Sequence, residues 1–228
     1  MGILSFGKSL LNKFPFLHRF CSFVYTRIIG RNHFKIKGKD NRIELPLAFL
    51  KRCRIKIIGS NNRIAIGDKC LLEGCRFSIN GSNNTICLDK LIYAKDVEFC
   101  IEDNANTIHI GTKTSLCGFA HLACIEGTNI SVGENCLFSS DITFRTGDSH
   151  SILDKEGKRI NPSSDIVVGN HVWIGSRVIL TKGSEIGPDS VIATGAVVTK
   201  RFSQPNVILV GVPAGIIKAD INWEHKRI

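Results

Sequence analysis

Ile66, Leu88, Ile110 and Val132 stand 22 residues apart, and Val168 follows after 36, an interval of 22 plus 14. A fixed period of roughly 20 to 50 residues marks a solenoid, a stack in which each coil buries its apolar face only against the coils above and below. Function is therefore expected where the period breaks, between Val132 and Val168.

From Ile166 the period resolves into a finer step. Val168, Ile174, Leu180, Ile186, Ile192 and Val198 are each six residues apart, and Val172, Val178, Ser184, Ser190 and Ala196 form a second register at the same spacing. Compact residues follow several of the aliphatic ones, as in Val168-Gly169, Ile174-Gly175, Ile186-Gly187 and Ile192-Ala193. A helix turns every 3.6 residues or so and cannot hold such a step on one face. An inward aliphatic side chain at this spacing, with a small residue at the turn, instead predicts one short flat strand and one corner per hexapeptide, and three such faces close a triangular coil. The same step is read upstream in Ile66, Leu72 and Ser78, in Ile110, Leu116 and Leu122, and in Val132, Phe138 and Phe144. Three hexapeptides fill 18 of each 22 residues; the other four read as corner extensions, such as Gly59-Ser60-Asn61-Asn62 and Gly81-Ser82-Asn83-Asn84.

With 228 residues and no Pro- or Ser-rich linker, the chain reads as one solenoid domain over 34–218, with a loop at 145–165, an aromatic and basic segment over 1–33 and a tail over 219–228. A net charge of +10 favours an anionic partner. Nucleic acid is not expected, because the basic residues are scattered and no recognition motif accompanies them. Nine cysteines, an odd number without disulfide spacing, and no secretory signal point to reduced thiols in the cytoplasm. Cys70 and Cys136 fall on apolar repeat positions, where a free thiol acts as a small hydrophobe. In the N-terminal segment Phe6, Phe14, Phe16, Phe20 and Phe23 interleave with Lys8, Lys13, Arg19 and Arg27, and no run approaches the ~20 apolar residues a membrane span needs. Two readings stay open there: an interfacial anchor on anionic lipid at the inner face of the cytoplasmic membrane, or short helices capping the solenoid.

The extra residues lie between Phe144 and Ile166, in a polar, turn-rich stretch that must leave the coil as a loop. It carries His150, whose imidazole titrates near neutrality and suits a general base. Asp148 in the loop and Asp141 at the corner before it are equal candidates to orient His150 or to bind an acceptor hydroxyl. Arg145 and Arg159 are the basic candidates for acceptor binding. His171 is a rival base, assigned instead a surface or interface role. Trp173 neighbours the inward Ile174, so its ring is expected to face outward. His109 and His121 are twelve apart, and no three-His zinc site is expected, nor any other metal. Nothing pairs Cys117 or Cys124 with a base, so a covalent acyl-enzyme is not expected.

These residues and repeats resemble the hexapeptide-repeat acyltransferases, and over Arg145 to Trp223 the bacterial capsular polysaccharide and galactoside-type O-acetyltransferases. The resemblance implies an all-β fold, a left-handed parallel β-helix with a short N-terminal helical segment and an ejected active-site loop. It implies His150 as the base, since the family's catalytic histidine precedes a motif like Asn170-His171-Val172-Trp173-Ile174-Gly175 by a matching interval, and it puts Trp173 at the active site. It further implies acetyl-CoA as co-substrate, with Ser176 and Thr194 along the pantetheine arm, Thr199 and Lys200 near the nucleotide, Pro213 by the adenine and Lys218 facing phosphate. Fixed cations at Lys200 and Lys218 suit multiply charged phosphates. Gly215 departs from the family, which commonly has Lys or Arg there, so one phosphate contact is in doubt.

The expected activity is direct O-acetyl transfer from acetyl-CoA to a surface glycan of capsule, O-antigen or exopolysaccharide type, an acidic polymer suiting the basic chain. A homotrimer with active sites between subunits is implied by the family. The rivals are an N-acetyltransferase of an amino sugar nucleotide and a non-catalytic β-helix scaffold.

Overall fold

A computed structural model describes residues 22–226, so the aromatic and basic residues before Ser22 lie outside the described residues. The chain winds as a β-solenoid of about eight coils with three parallel faces. The first face stacks β1 (His33–Lys37), β4 (Arg54–Ile58), β7 (Arg76–Asn80), β10 (Val97–Glu102), β13 (Ala120–Cys124), β16 (Ile142–Arg145), β19 (Ile179–Thr181) and β22 (Val197–Val198). The second stacks β2 (Arg42–Glu44), β5 (Arg63–Ile66), β8 (Thr85–Leu88), β11 (Thr107–Ile110), β14 (Asn129–Val132), β17 (Ile166–Val168), β20 (Glu185–Ile186) and β23 (Arg201–Phe202). The third stacks β3 (Phe49–Lys51), β6 (Leu71–Glu73), β9 (Tyr93–Lys95), β12 (Ser115–Leu116), β15 (Leu137–Phe138), β18 (Trp173–Ile174), β21 (Val191–Ile192) and β24 (Ile208–Gly211), which an antiparallel β25 (Ala214–Lys218) closes.

The sequence period is the strand register. Leu88 pairs with Ile66 on one side and Ile110 on the other. Val132 pairs with Val168 across the 36-residue interval, so the loop is ejected without shifting the stack. The inward columns are almost wholly buried, with Phe77 stacked on Phe99 at 4.8 Å and Phe138 packed on Phe144 at 5.6 Å. Each such side chain contributes about 1.5–3 kcal/mol on burial. Cys70 and Cys136 belong to this core, and burial pushes both thiols up to about 11.

One expectation on the repeat is corrected. Ser78 faces outward, half-buried, between the inward Phe77 and Ile79. The corner at Gly74-Cys75 is one residue tighter than a hexapeptide, which the next corner restores, so the coil length is unchanged.

The four-residue extensions lie at the corner between the first and second faces, around a column of buried amides. Asn41 Oδ1 accepts from the backbone N–H of Asn62 at 3.1 Å, Asn62 from Asn84 at 3.0 Å, Asn84 from Asn106 at 2.8 Å and Asn106 from Thr128 at 3.1 Å. Extended corners expose backbone groups that need partners, and the Asn side chains supply them coil after coil. No buried side-chain N or O among the described residues is left without a partner.

At the open end a short helical turn, Tyr25–Ile29, packs on the first coil. Thr26 Oγ1 donates to Ala48 O at 2.9 Å and accepts from Leu50 N at 3.2 Å, while Tyr25 meets Phe49 edge-on at 5.7 Å. No helix among the described residues is long and apolar enough to cross a membrane.

Candidate active site

The loop leaves the stack at the corner of the Asn column. Thr146, fully buried, tops that column: its Oγ1 lies 2.7 Å from Thr128 Oγ1 and accepts from Ile125 N at 3.0 Å. Beyond it the chain forms a small hairpin, with Ile160 N donating to Ile152 O at 2.9 Å and Asp154 N to Lys158 O at 2.9 Å.

Two side chains tie the hairpin down. Asn161, almost wholly buried, donates through Nδ2 to Asp148 Oδ2 and to His150 O, both at 2.8 Å, and accepts from Ile152 N at 2.7 Å. Glu126, on the coil below, takes the Arg159 guanidinium at 2.8 and 3.0 Å and the Ser163 hydroxyl at 2.8 Å. Arg159 first and Ser163 second hold the Glu126 carboxyl below its ordinary range. Arg159 thus serves as a clamp on the loop.

His150 stands exposed at the hairpin's base, and among the described residues its imidazole has no hydrogen-bond partner. Neither candidate carboxylate is bonded to it. Asp148 faces Lys182, with Nζ 2.5 Å from Oδ2, and this ion pair first, then Asn161, pulls its carboxyl below the usual carboxylate value. Asp141 lies across the first face, at the corner with the third, where Ser140 Oγ donates to it at 3.3 Å. Arg145, at the end of β16, is exposed and donates to Ser149 Oγ at 3.0 Å.

Trp173 does face outward, 41% exposed on the third face. Its ring lies 6.1 Å from Trp223, which is only 7% exposed, donates through Nε1 to His171 O at 2.8 Å and stacks on the His171 ring at 4.3 Å. His171 Nδ1 is engaged with Asp189 Oδ1 at 2.9 Å. With ring face and ring nitrogen both occupied, His171 backs the Trp223 indole.

The residues expected along coenzyme A fall in three places. Ser176 and Thr194 share the corner between the third and first faces with Ser140, whose Oγ is 3.5 Å from Ser176 Oγ. That corner is tight: a Cβ on Gly175 would come within 2.7 Å of Thr194 N. Thr199 and Lys200 sit on the loop's own corner, Lys200 Nζ 5.3 Å over the Phe202 ring. Pro213 and Lys218 belong to the closing hairpin, where Lys218 pairs with Ile208. His150 and Ser176 therefore stand on opposite edges of the first face within one chain.

Asn161, Lys182, Glu126 and Trp223 carry the site's order and were not singled out from the sequence. Only Asn161-Pro162, at the loop's return, had a local turn signal.

Residues 165–200 match the family described as bacterial transferase hexapeptide (six repeats). The chain is 31% identical to the polysialic acid O-acetyltransferase of Neisseria meningitidis, over 87% of this chain and 92% of that protein. It is 38% identical to the galactoside O-acetyltransferase of Escherichia coli K12 over 53% of this chain, spanning 57% of that protein's length. Among solved structures, the polySia-specific acetyltransferase NeuO superposes with a TM-score of 0.76 at 27% identity, over 86% of this chain and 89% of NeuO. The polysialic acid O-acetyltransferase OatWY superposes with a TM-score of 0.70 at 29% identity, over 86% of this chain and 92% of that one. A parallel solenoid with hexapeptide coils, and likeness to such enzymes over nearly its whole length, define its class. The chain belongs to the hexapeptide-repeat O-acetyltransferases.

Proposed function

We propose that this protein transfers acetyl groups from acetyl-CoA to hydroxyls of an acidic bacterial surface polysaccharide. The observation that carries this reading is the likeness over nearly full length to the meningococcal polysialic acid enzyme, and a net charge of +10 on the chain agrees with it.

His150 removes the proton from the acceptor hydroxyl, whose oxygen attacks the thioester carbonyl. Coenzyme A leaves as the carbonyl re-forms, and no acyl-enzyme intervenes. Burial pushes the thiols of Cys117 and Cys124 up, which disfavours either as a nucleophile. The backbone N–H of Ser176 stabilises the oxyanion. Arg145 and Trp173, both exposed, are the groups presented to an anionic sugar, while Arg159 shapes the loop. Thr194, Thr199, Lys200, Pro213 and Lys218 receive the coenzyme.

His150 and Ser176 occupy different corners, so a complete site needs the loop corner of one copy against the serine corner of another, as a closed trimer provides. Asp141 belongs to that second corner and is the carboxylate left to orient the imidazole, Asp148 being held by Lys182 and Asn161.

Incubation with acetyl-CoA and polysialic acid tests the reading. Release of free coenzyme A thiol, with one acetyl mass increment on the sugar, is the expected result; thiol release no faster than without polymer would overturn it. Mixing inactive His150→Ala with inactive Asp141→Asn is expected to restore activity through mixed assemblies, whereas a single-chain site would stay silent.

A further inference from the structure

One column on the outside of the stack breaks its own pattern beside a pair of metal-ligating side chains in the next column. The corner between the second and third faces holds glycine at positions 67, 111, 133, 169 and 187; the two terminal coils carry Pro46 and Ser203 there, and among the coils between them only Asp89 departs from glycine. The glycines answer a steric demand: a Cβ at Gly67 would approach the Asp89 carbonyl carbon to 2.8 Å, and one at Gly111 the Gly133 carbonyl carbon to 2.6 Å. Placing a side chain there runs against the packing of this corner, and departures of that kind mark sites with another purpose. The neighbouring column along the second face reads Ala65, Cys87, His109, Ser131, set by the strand register. Cys87 and His109 are thus adjacent rungs of β8 and β11, and the aberrant Asp89 follows directly after β8.

The three side chains converge. His109 Nε2 lies 3.2 Å from Asp89 Oδ2, and the Cys87 sulfur, the imidazole nitrogen and the carboxylate oxygen all fall within 4.8 Å of one another. All three are half-buried. A groove of about 410 Å³ runs alongside, lined by Ala65, Cys87, Asp89 and Lys90, so the cluster opens to solvent. Arg63, which also lines the groove, is ion-paired with Glu44 at 2.7 and 3.1 Å, and its charge reaches Cys87 as well, favouring the thiolate.

We propose that Cys87, Asp89 and His109 form a divalent metal site, selective for zinc, that bridges the third and fourth coils. One sulfur, one nitrogen and one oxygen donor suit the borderline-soft zinc ion and disfavour magnesium and calcium, which demand oxygen shells. A thiolate and a carboxylate together balance the ion's charge. Three protein donors leave a fourth, tetrahedral position facing the groove for water or an exogenous ligand. The site lies two coils below the one that ejects the His150 loop and is independent of acetyl transfer. Its effect is on the stack, since an ion held from two rungs stabilises the folded state by mass action.

Cobalt(II) is the probe, titrated into chelator-stripped protein. The expected result is one ion per chain, a thiolate-to-cobalt charge-transfer band in the near ultraviolet, and displacement of cobalt by zinc. Cys87→Ser is expected to lose the band, and Asp89→Gly, which restores the glycine of the neighbouring coils and so keeps the corner foldable, to bind about tenfold or more weakly. His109→Gln should weaken binding likewise, while His150→Ala should bind as the parent does. A band that survives Cys87→Ser, unchanged affinity in Asp89→Gly, or no saturable binding by the parent protein would each overturn the proposal. Melting temperatures in chelator, expected to agree among the variants, separate lost binding from lost folding.

Discussion

The coils before the loop and those after it solve one corner in two ways. Below, from Arg63 to Asn129, a turn takes 22 residues, and the corner between the first and second faces swells into a four-residue extension whose backbone groups are met by the buried Asn column. Above, from Val168 to Ile186 and from Leu180 to Val198, a turn takes 18, and the same corner is the tight Lys182-Gly183-Ser184, where Ser184 Oγ donates to Thr181 O at 2.6 Å and Val198 O at 2.9 Å. The inner columns do not register the change, because Val132 and Val168 pair directly. The switch is made wholly on the outside, and the loop is inserted at it. Its root therefore stands on a buried polar column, and Lys182 of the first short corner reaches back to it.

Substitutions at the switch should separate chemistry from stacking. His150→Ala is expected to lower kcat by about 10²–10⁴-fold without moving the melting temperature, since the side chain is exposed and unpaired; thiol release from acetyl-CoA and a thermal melt read the two. Below the switch, Asn84→Ala removes the acceptor of Asn106 N, a buried bond, and the donor to Asp103 O, a partly buried one. A buried polar group left unpaired costs about 1–3 kcal/mol, so a lower urea midpoint is expected with kcat kept. At the switch itself, Asn161→Ala frees Asp148, His150 and Ile152 together, and kcat is expected to fall about tenfold, a loss of positioning, with global stability nearly unchanged. Above it, Ser184→Ala removes a single hydroxyl, and a loss of about 1 kcal/mol is expected in the same urea titration. Equal effects from Asn84→Ala and Ser184→Ala would dissolve the distinction between the two corners.

The stack was legible because inward positions must recur in register, and Ile66, Leu88, Ile110 and Val132 declare that register. Ser78 was misplaced because a one-residue loss at one corner and its recovery at the next leave the period intact. The loop was legible as an interruption, and His150 as its one histidine. Its partners were not, because contacts such as Asp148 with Lys182 and Arg159 with Glu126 join residues 34 and 33 positions apart with no periodic signal between them. Asp148 stands two residues from His150 in sequence, but its carboxylate is drawn to the Lys182 ammonium. The cluster at Asp89 is hidden from the sequence for a related reason: His109 meets Cys87 only as its rung neighbour, 22 residues away.

The smallest expected effect tests the tie across the switch. The Asp148 carboxyl is lowered chiefly by Lys182, with Asn161 second. A group whose folded value is depressed stabilises the folded form above its ordinary value and loses that contribution as pH falls through the lowered one. The Lys182 tie should thus be intact from pH 7 down to about pH 5 and loosen only below roughly pH 4, the ordinary range of an aspartate. Because the pair is largely exposed, its contribution to global stability is small, and the readout is local: amide hydrogen exchange of residues 147–163. Exchange in that segment, corrected for the intrinsic pH dependence of exchange, is expected to rise below pH 4 in the parent protein. In Lys182→Met it should already be raised at pH 7 and show less of that low-pH increase. A pH response the same in both proteins would mean that Asn161 and Glu126 hold the loop without help from the short coils.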